Sequence, residues 1–218
     1  MAGFGLQTAL RLRMIKSIGK LFARAFGKPT AEGQTFHPSQ TCAECVTPLM
    51  RTTERAEWHC PNLDCPAQLR ARIEHWCSPG ALDIAGGEAA FVALLVSRGL
   101  ARDAAELYRL RLAELTALPG MDKDSAQKFF DALTASQKRE GWRTLFGLCI
   151  PHLGEAEAKS LCGHFKSVDN VFAASVERLR QAGGVSEAAA RSLVQWHGDS
   201  VNRKLVKRLF KAGVNFKA

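Results

Sequence analysis

Four cysteines in two close-spaced pairs constrain this chain more than any other feature. Cys42-Ala43-Glu44-Cys45 and Cys60-Pro61-Asn62-Leu63-Asp64-Cys65 give a C-x2-C pair, fourteen intervening residues and a C-x4-C pair. A short-spaced pair presents two thiolates from one tight turn. Two such pairs brought together make a tetrahedral all-sulfur site, the geometry zinc accepts most readily. The residues Val46 to His59 are enough for a small hairpin joining the two knuckles. Four protein ligands leave no open position, so the spacing predicts one structural zinc on Cys42, Cys45, Cys60 and Cys65. The alternatives are a redox pair or four ordinary buried thiols. His37 and His59 are possible substitute ligands, although His59 abuts Cys60 and competes for the same corner. The other three cysteines, Cys77, Cys149 and Cys162, fall on apolar helical stretches and read as core residues.

The cysteine reading carries a compartment with it. No run of about 18 apolar residues marks a membrane span. The N-terminus lacks a continuous apolar stretch followed by a small-residue cleavage site, so a cytoplasmic chain with reduced thiols is expected.

Around this module the chain reads as mostly α. Runs of Ala, Leu, Arg, Glu and Lys dominate, and alternating β-branched segments are scarce. Residues 1–27 form a basic amphipathic helix, with Met14, Ile15, Ile18, Leu21, Phe22 and Phe26 near helical spacing. Residues 28–40 form a linker, 41–70 the cysteine module, and 71–218 a series of short helices punctuated by glycine. Glycine sites at Gly86-Gly87, Gly120, Gly147, Gly154 and Gly183-Gly184 recur about every 30 residues, as in a divergent helix-turn-helix repeat.

The net charge of +9 is concentrated at the two ends. Residues 1–31 hold six Lys/Arg and no acid, leaving 24 basic against 21 acidic residues beyond them. Arg203, Lys204, Lys207, Arg208, Lys211 and Lys217 follow Asp199 with no acid among them. Basic ends on a near-neutral body suit a polyanion, either nucleic acid or an anionic membrane surface.

Four candidate hairpin tips are Ala85-Gly86-Gly87, Pro119-Gly120-Met121-Asp122, His152-Leu153-Gly154 and Gly184-Val185-Ser186. A glycine-rich turn leading into a helix exposes backbone N–H groups and a positive helix end to a phosphate, and reads no bases. The same glycines also suit helix C-caps in an ordinary bundle. On the phosphate reading the candidate contacts are Gly86, Gly87, Gly120, His152, Gly154, Lys159, Gly184 and Ser186. Arg203, Lys204 and Lys207 of the last helix join them.

The run from Cys60 through Leu69 to Trp76, then Ser78 and Ala81-Leu82-Asp83-Ile84, resembles the zinc finger of bacterial NAD-dependent DNA ligases entering their helix-hairpin-helix domain. Residues 103–110, 115–126, 145–154 and 209–214 fit the same family, and the likeness covers residues 36–216. The resemblance implies a DNA clamp, in which the zinc finger orients domains and the hairpins grip the minor groove around a nick. It also implies what to look for and not find: the ligase's nucleophilic lysine lies in a K-x-D-G tetrad, which this chain lacks. No ligation by this chain alone, and no bound NAD, are therefore expected.

The hairpins depart from the family's Gly-hydrophobic-Gly pattern. The first turn reads one residue short. Asp122 stands where the second glycine belongs, Asp124 where lysine is frequent, and Ser186 ends the fourth turn. Cys149 and Pro79 occupy positions where glycine and arginine are expected. Weaker, strongly salt-dependent binding follows, of about micromolar affinity. The function so read is sequence-nonspecific binding of duplex or nicked DNA in repair or replication, near the nucleoid. The alternatives are the clamp subunit of a split ligase with a separate adenylating partner, or a degenerate hairpin scaffold for protein or membrane-surface interaction, its N-terminal helix lying on anionic lipid.

Overall fold

A computed structural model describes residues 41–51 and 58–218. The helix expected over residues 1–27, the linker to residue 40 and His37 lie outside the described residues.

The chain enters its helical part through a cysteine. Cys65 is the N-cap of α1 (Pro66–Cys77), with Pro66 at the first helical position, where a missing N–H has no cost. There follow α2 (Ala89–Ser97), α3 (Ala104–Leu107), α4 (Leu112–Thr116), α5 (Lys123–Ser136), α6 (Gly141–Gly147) and α7 (Glu155–Phe165). The series ends with α8 (Val168–Phe172), α9 (Val176–Leu179), α10 (Glu187–Gly198) and α11 (Ser200–Lys211). Against these helices the described residues hold one antiparallel pair, β1 (Met50–Arg51) and β2 (Trp58–His59), with Met50 opposite His59. The fold is mostly α, as the composition predicts. Helix α1 runs unbroken through residue 70, where the cysteine module was expected to end.

Four helix-turn-helix units share one backbone frame. In each turn an N–H bonds the carbonyl three residues back: Gly87 to Ile84, Met121 to Leu118, Leu153 to Ile150 and Val185 to Ala182. The third residue of each turn has positive φ: Gly86 (87°), Gly120 (77°), His152 (61°) and Gly184 (81°). That is the signature of a type II turn, whose third position favours glycine and whose second favours proline. Pro119 and Pro151 stand at that second position. Two residues after the positive φ comes the N-cap of the next helix: Glu88, Asp122, Gly154 and Ser186.

This frame corrects the expectation that the first turn is one residue short. Its length equals that of the others; Gly87 takes the place of the hydrophobic residue, and Glu88 that of the second glycine. The reason is packing. A Cβ on Gly87 would meet the Cys77 Cβ at 2.5 Å, so Cys77 fills the space that Met121, Leu153 and Val185 address in the other turns.

One core runs through all four units, centred on Trp76, Phe129, Leu145, Leu161 and Leu193. Three polar side chains at its centre form a hydrogen-bonded relay. Trp76 Nε1 donates to the Tyr108 hydroxyl (3.1 Å), which lies 2.9 Å from Ser136 Oγ, and Ser136 donates to the Leu133 carbonyl. Burial pushes the Tyr108 phenol up to about 12.

The C-terminal residues strap the units together. Gly141 N–H donates to the Lys217 carbonyl (2.7 Å), Val168 N–H to Phe216, and Thr144 Oγ1 to Asn215. Helix α11 closes onto α3 through Arg208, which pairs with Asp103 and Glu106. A Cβ on Gly141 would meet the Lys217 carbonyl oxygen at 2.6 Å. Gly141→Ala therefore forces the strap outward and is expected to cost about 1–3 kcal/mol in urea unfolding. A Gly163→Ala control has nothing within 4 Å of the new Cβ and should cost no stability.

Candidate metal centre and nucleic-acid interface

The first knuckle closes through Val46 N–H to the Cys42 carbonyl and Cys42 N–H to the Thr47 carbonyl, both 2.8 Å. Val46 takes φ 59° to make that turn, which is unusual for a β-branched residue. In the second knuckle Cys65 N–H bonds the Asn62 carbonyl, and Asn62 Oδ1 accepts from Asp64 N–H. The result brings all four predicted ligands together. Cys42 Sγ lies 3.7 Å from Cys65 Sγ, and Cys45 Sγ lies 3.4 Å from Cys60 Sγ. The four sulfurs are within 4.8 Å of one another. Tetrahedral coordination with metal–sulfur bonds of about 2.3 Å puts sulfurs about 3.8 Å apart, so the cluster fits one metal ion.

The thiols sit in unequal surroundings. The Thr47 hydroxyl and amide hold Cys45 down to about 6, whereas burial, with its sulfur neighbours, pushes Cys60 up to about 12. Two ties join the cluster to the helices. Cys65 caps α1, and Glu44 beside Cys45 pairs with Arg70 on α1 at 2.8 Å, which lowers the Glu44 carboxyl. His59 lies outside the sulfur cluster, on an open groove.

The remaining cysteines divide. Cys77 and Cys162 are buried, and burial pushes both thiols up to about 12. Cys149 corrects the helical-core expectation: it follows the C-cap of α6, has φ 53°, and is half-buried. It stands where glycine was expected because that position takes the left-handed conformation.

The four turns share a frame but differ in what occupies the following helix end. Asp122 Oδ1 accepts from Ser125 N–H at 2.7 Å, and that bond lowers the carboxyl. Ser186 Oγ accepts from Ala189 N–H. Glu88 and Gly154 make no side-chain cap. Gly154 is thus the one N-cap of the four that carries no side chain, with His152 exposed two residues before it. Lys159 bridges Glu155 (2.6 Å) and lies 4.3 Å over the Trp142 ring. Ser160 Oγ donates to the Gly183 carbonyl and so links the third and fourth turns.

His152 and Gly154 line the open groove with Trp58 and His59 of β2 and with Arg191 of α10. Glu157, Glu187 and Asp199 also line it, so its charge is mixed. The cation surplus lies on α11. Lys204 and Lys207 are exposed, while Arg203 turns back to donate to the His197 and Gly198 carbonyls at the end of α10. Two further residues of this helix, Phe210 and Lys211, are also exposed and were not among the candidate contacts. An aromatic flanked by Leu209 reads as core until the helix is docked.

Residues 143–206, which run from α6 into α11, match the model of the helix-hairpin-helix motif. Over 178 residues, 81% of its length, the chain is 40% identical to the DNA ligase of Synechococcus sp. (strain JA-2-3B'a(2-13)). It is 38% identical over 183 residues to the DNA ligase of Rubrobacter xylanophilus, and 37% over 176 to that of Hydrogenobaculum sp.. The chain is similar to one part of these DNA ligases. It spans about a quarter of the length of these relatives, 26%, 27% and 25% respectively. The residues that match the motif hold the third and fourth turns, the two lacking a carboxylate at the N-cap. No helix among the described residues is long and apolar enough to cross a membrane.

Proposed function

We propose that this chain binds the DNA backbone without reading sequence, using its third and fourth hairpins and the cations of α11, and that its cysteine cluster holds one structural zinc. The observation that carries the reading is the shared turn frame, which delivers four helix N-termini in one geometry. A helix start preceded by a glycine turn offers unsatisfied N–H groups and a partial positive charge to a phosphate oxygen. Gly154 brings no side chain to that end; the Glu157 carboxylate reaches it from the first turn, its Oε2 2.8 Å from where a Gly154 Cβ would stand, and must swing aside to admit a phosphate. At the second hairpin the Asp122 carboxylate already takes the Ser125 N–H and repels an incoming anion. Glu88 puts a second carboxylate at the first hairpin. The chain then grips DNA with one half of the array.

For zinc, the support is the all-thiolate donor set, the sulfur spacing and the C-x2-C/C-x4-C pattern, which together exclude an open catalytic position. Metal analysis of purified protein should give one zinc per chain. Ligation is not part of the proposed activity, because the sequence holds no K-x-D-G tetrad whose lysine could take an adenylyl group. The breadth of the ligase likeness, against a quarter of the ligases' length, keeps a second reading in view: a DNA clamp for a separately supplied adenylating protein. Nick sealing that appears only when such a protein and this chain are mixed would establish it. Residence with DNA in the cytoplasm follows from either reading.

Two substitutions test the proposed site in opposite directions. Gly154→Asp places a carboxylate where Asp122 has one, and the only atoms near the new Cβ belong to the mobile end of Glu157. The new carboxylate can cap α7, which has no side-chain cap otherwise, and affinity for duplex DNA should fall about tenfold, from one lost phosphate contact and added repulsion. Asp122→Gly should raise affinity at a cost of a few tenths of a kcal/mol in stability. Unchanged binding in both variants would remove the hairpins from the interface.

A further inference from the structure

Helix α11 turns Val206 and Leu209 into the core. At 3.6 residues per turn, Ser200, Lys204, Lys207 and Lys211 then form its outer ridge. Arg203 and Phe210 lie along one edge of that ridge, two turns apart, and Val201 and Arg208 along the other. Lys204, Lys207 and Lys211 have no ion pair among the described residues, and no acid occurs in residues 200–218. The nearby acids Asp103 and Glu106 are drawn to Arg208, at the opposite edge from Phe210. Phe210 is 61% exposed, and its ring stands edge-on to the buried Phe216 at 5.8 Å and 84°. One edge is anchored while a face remains open.

We propose that this ridge is a docking strip for single-stranded DNA, in which Lys204, Lys207 and Lys211 follow the phosphates and Phe210 stacks on one unpaired base. The inference rests on the reading that this chain binds the DNA backbone, and adds which form of DNA α11 meets. An exposed aromatic beside a row of cations is the arrangement by which proteins hold single strands, since every unpaired base has a π-face to offer. A duplex keeps those faces stacked within itself and leaves Phe210 nothing to cover. An anionic membrane fits less well. A helix lying on lipid needs its apolar residues on one side. Here Val201 and Phe210 flank the lysine ridge from opposite edges. A chain that holds duplex in its hairpins and an unpaired strand on α11 is suited to junctions between the two.

The test uses the full, metal-loaded chain and fluorescence anisotropy with a blunt duplex and the same duplex carrying a thymine tail of about ten nucleotides. The tail should tighten binding of the unmodified chain about tenfold. Phe210→Ala should erase that gain and leave blunt-duplex binding unchanged, which also shows that the variant is folded. Phe210→Trp should preserve the gain. No gain from the tail, or equal weakening of both DNAs by Phe210→Ala, would overturn the strip while leaving backbone binding intact. Absence of binding to either DNA would overturn both readings. Phe210-dependent binding to phosphatidylserine vesicles without any tail preference would reassign the face to lipid.

Discussion

Stripping the metal from the cysteine cluster is expected to unfold residues 41–65 while α2 to α11 keep their structure. The module has almost no core of its own. Val46, Met50, Trp58 and Leu63 are exposed, and among its described hydrophobic residues only Cys65 is buried. Two strands of two residues cannot hold a fold of that size. The proposed zinc would then supply the folding energy, since apparent binding energies for four-ligand zinc sites are about 10–16 kcal/mol. The helices are different, because their buried residues from Trp76 to Phe216 form a core that does not include the sulfur cluster. Chelation, or Cys60→Ser, should make residues 41–65 the first site of limited proteolysis and change far-UV circular dichroism little. A cooperative loss of helix on chelation would show instead that the array depends on the metal.

Replacing Lys204 and Lys207 together with alanine should have the largest effect on binding of any change away from the turns. Both side chains are exposed, and the core contacts of α11 come from other positions, so the fold should be unaffected. On a duplex with a single-stranded tail, each phosphate contact to the unpaired strand contributes about 0.7 to the slope of log affinity against log salt, so the double variant should lose about 1.4 units of slope. Affinity at low salt should fall more than tenfold, and the deficit should shrink as salt rises. Arg208→Ala offers a contrast. Its guanidinium is committed to Asp103 and Glu106, so its loss should reduce stability by up to about 1 kcal/mol and leave the salt slope unchanged.

The parts legible in the sequence are those where residue type and spacing have one physical solution. Cys42, Cys45, Cys60 and Cys65 announced their cluster because two short loops of thiols have few other uses in a reducing compartment. The turns announced themselves through glycine, since a third position with positive φ favours it at Gly86, Gly120 and Gly184. The frame of the first turn was misjudged because Gly87 is small for a packing reason, set by Cys77 across the core. Cys149 was misplaced because a cysteine with positive φ leaves no local mark. His152 hid its left-handed conformation in the same way. Partnership was equally opaque. Nothing in the sequence sets Arg203 on the carbonyls of α10 or Arg208 on α3, because those contacts depend on how α11 returns to the array.

Sequence-neutral grip on the DNA backbone through one half of the hairpin array is read out by anisotropy of the full chain and its Gly154→Asp variant. Two duplexes of unrelated sequence, each intact and nicked, would be titrated over a salt series. Equal affinity for the two sequences, a log–log slope of several units, and a weaker complex for Gly154→Asp at every salt concentration are expected. Binding that distinguishes the sequences, or that is indifferent both to salt and to residue 154, would contradict such a grip.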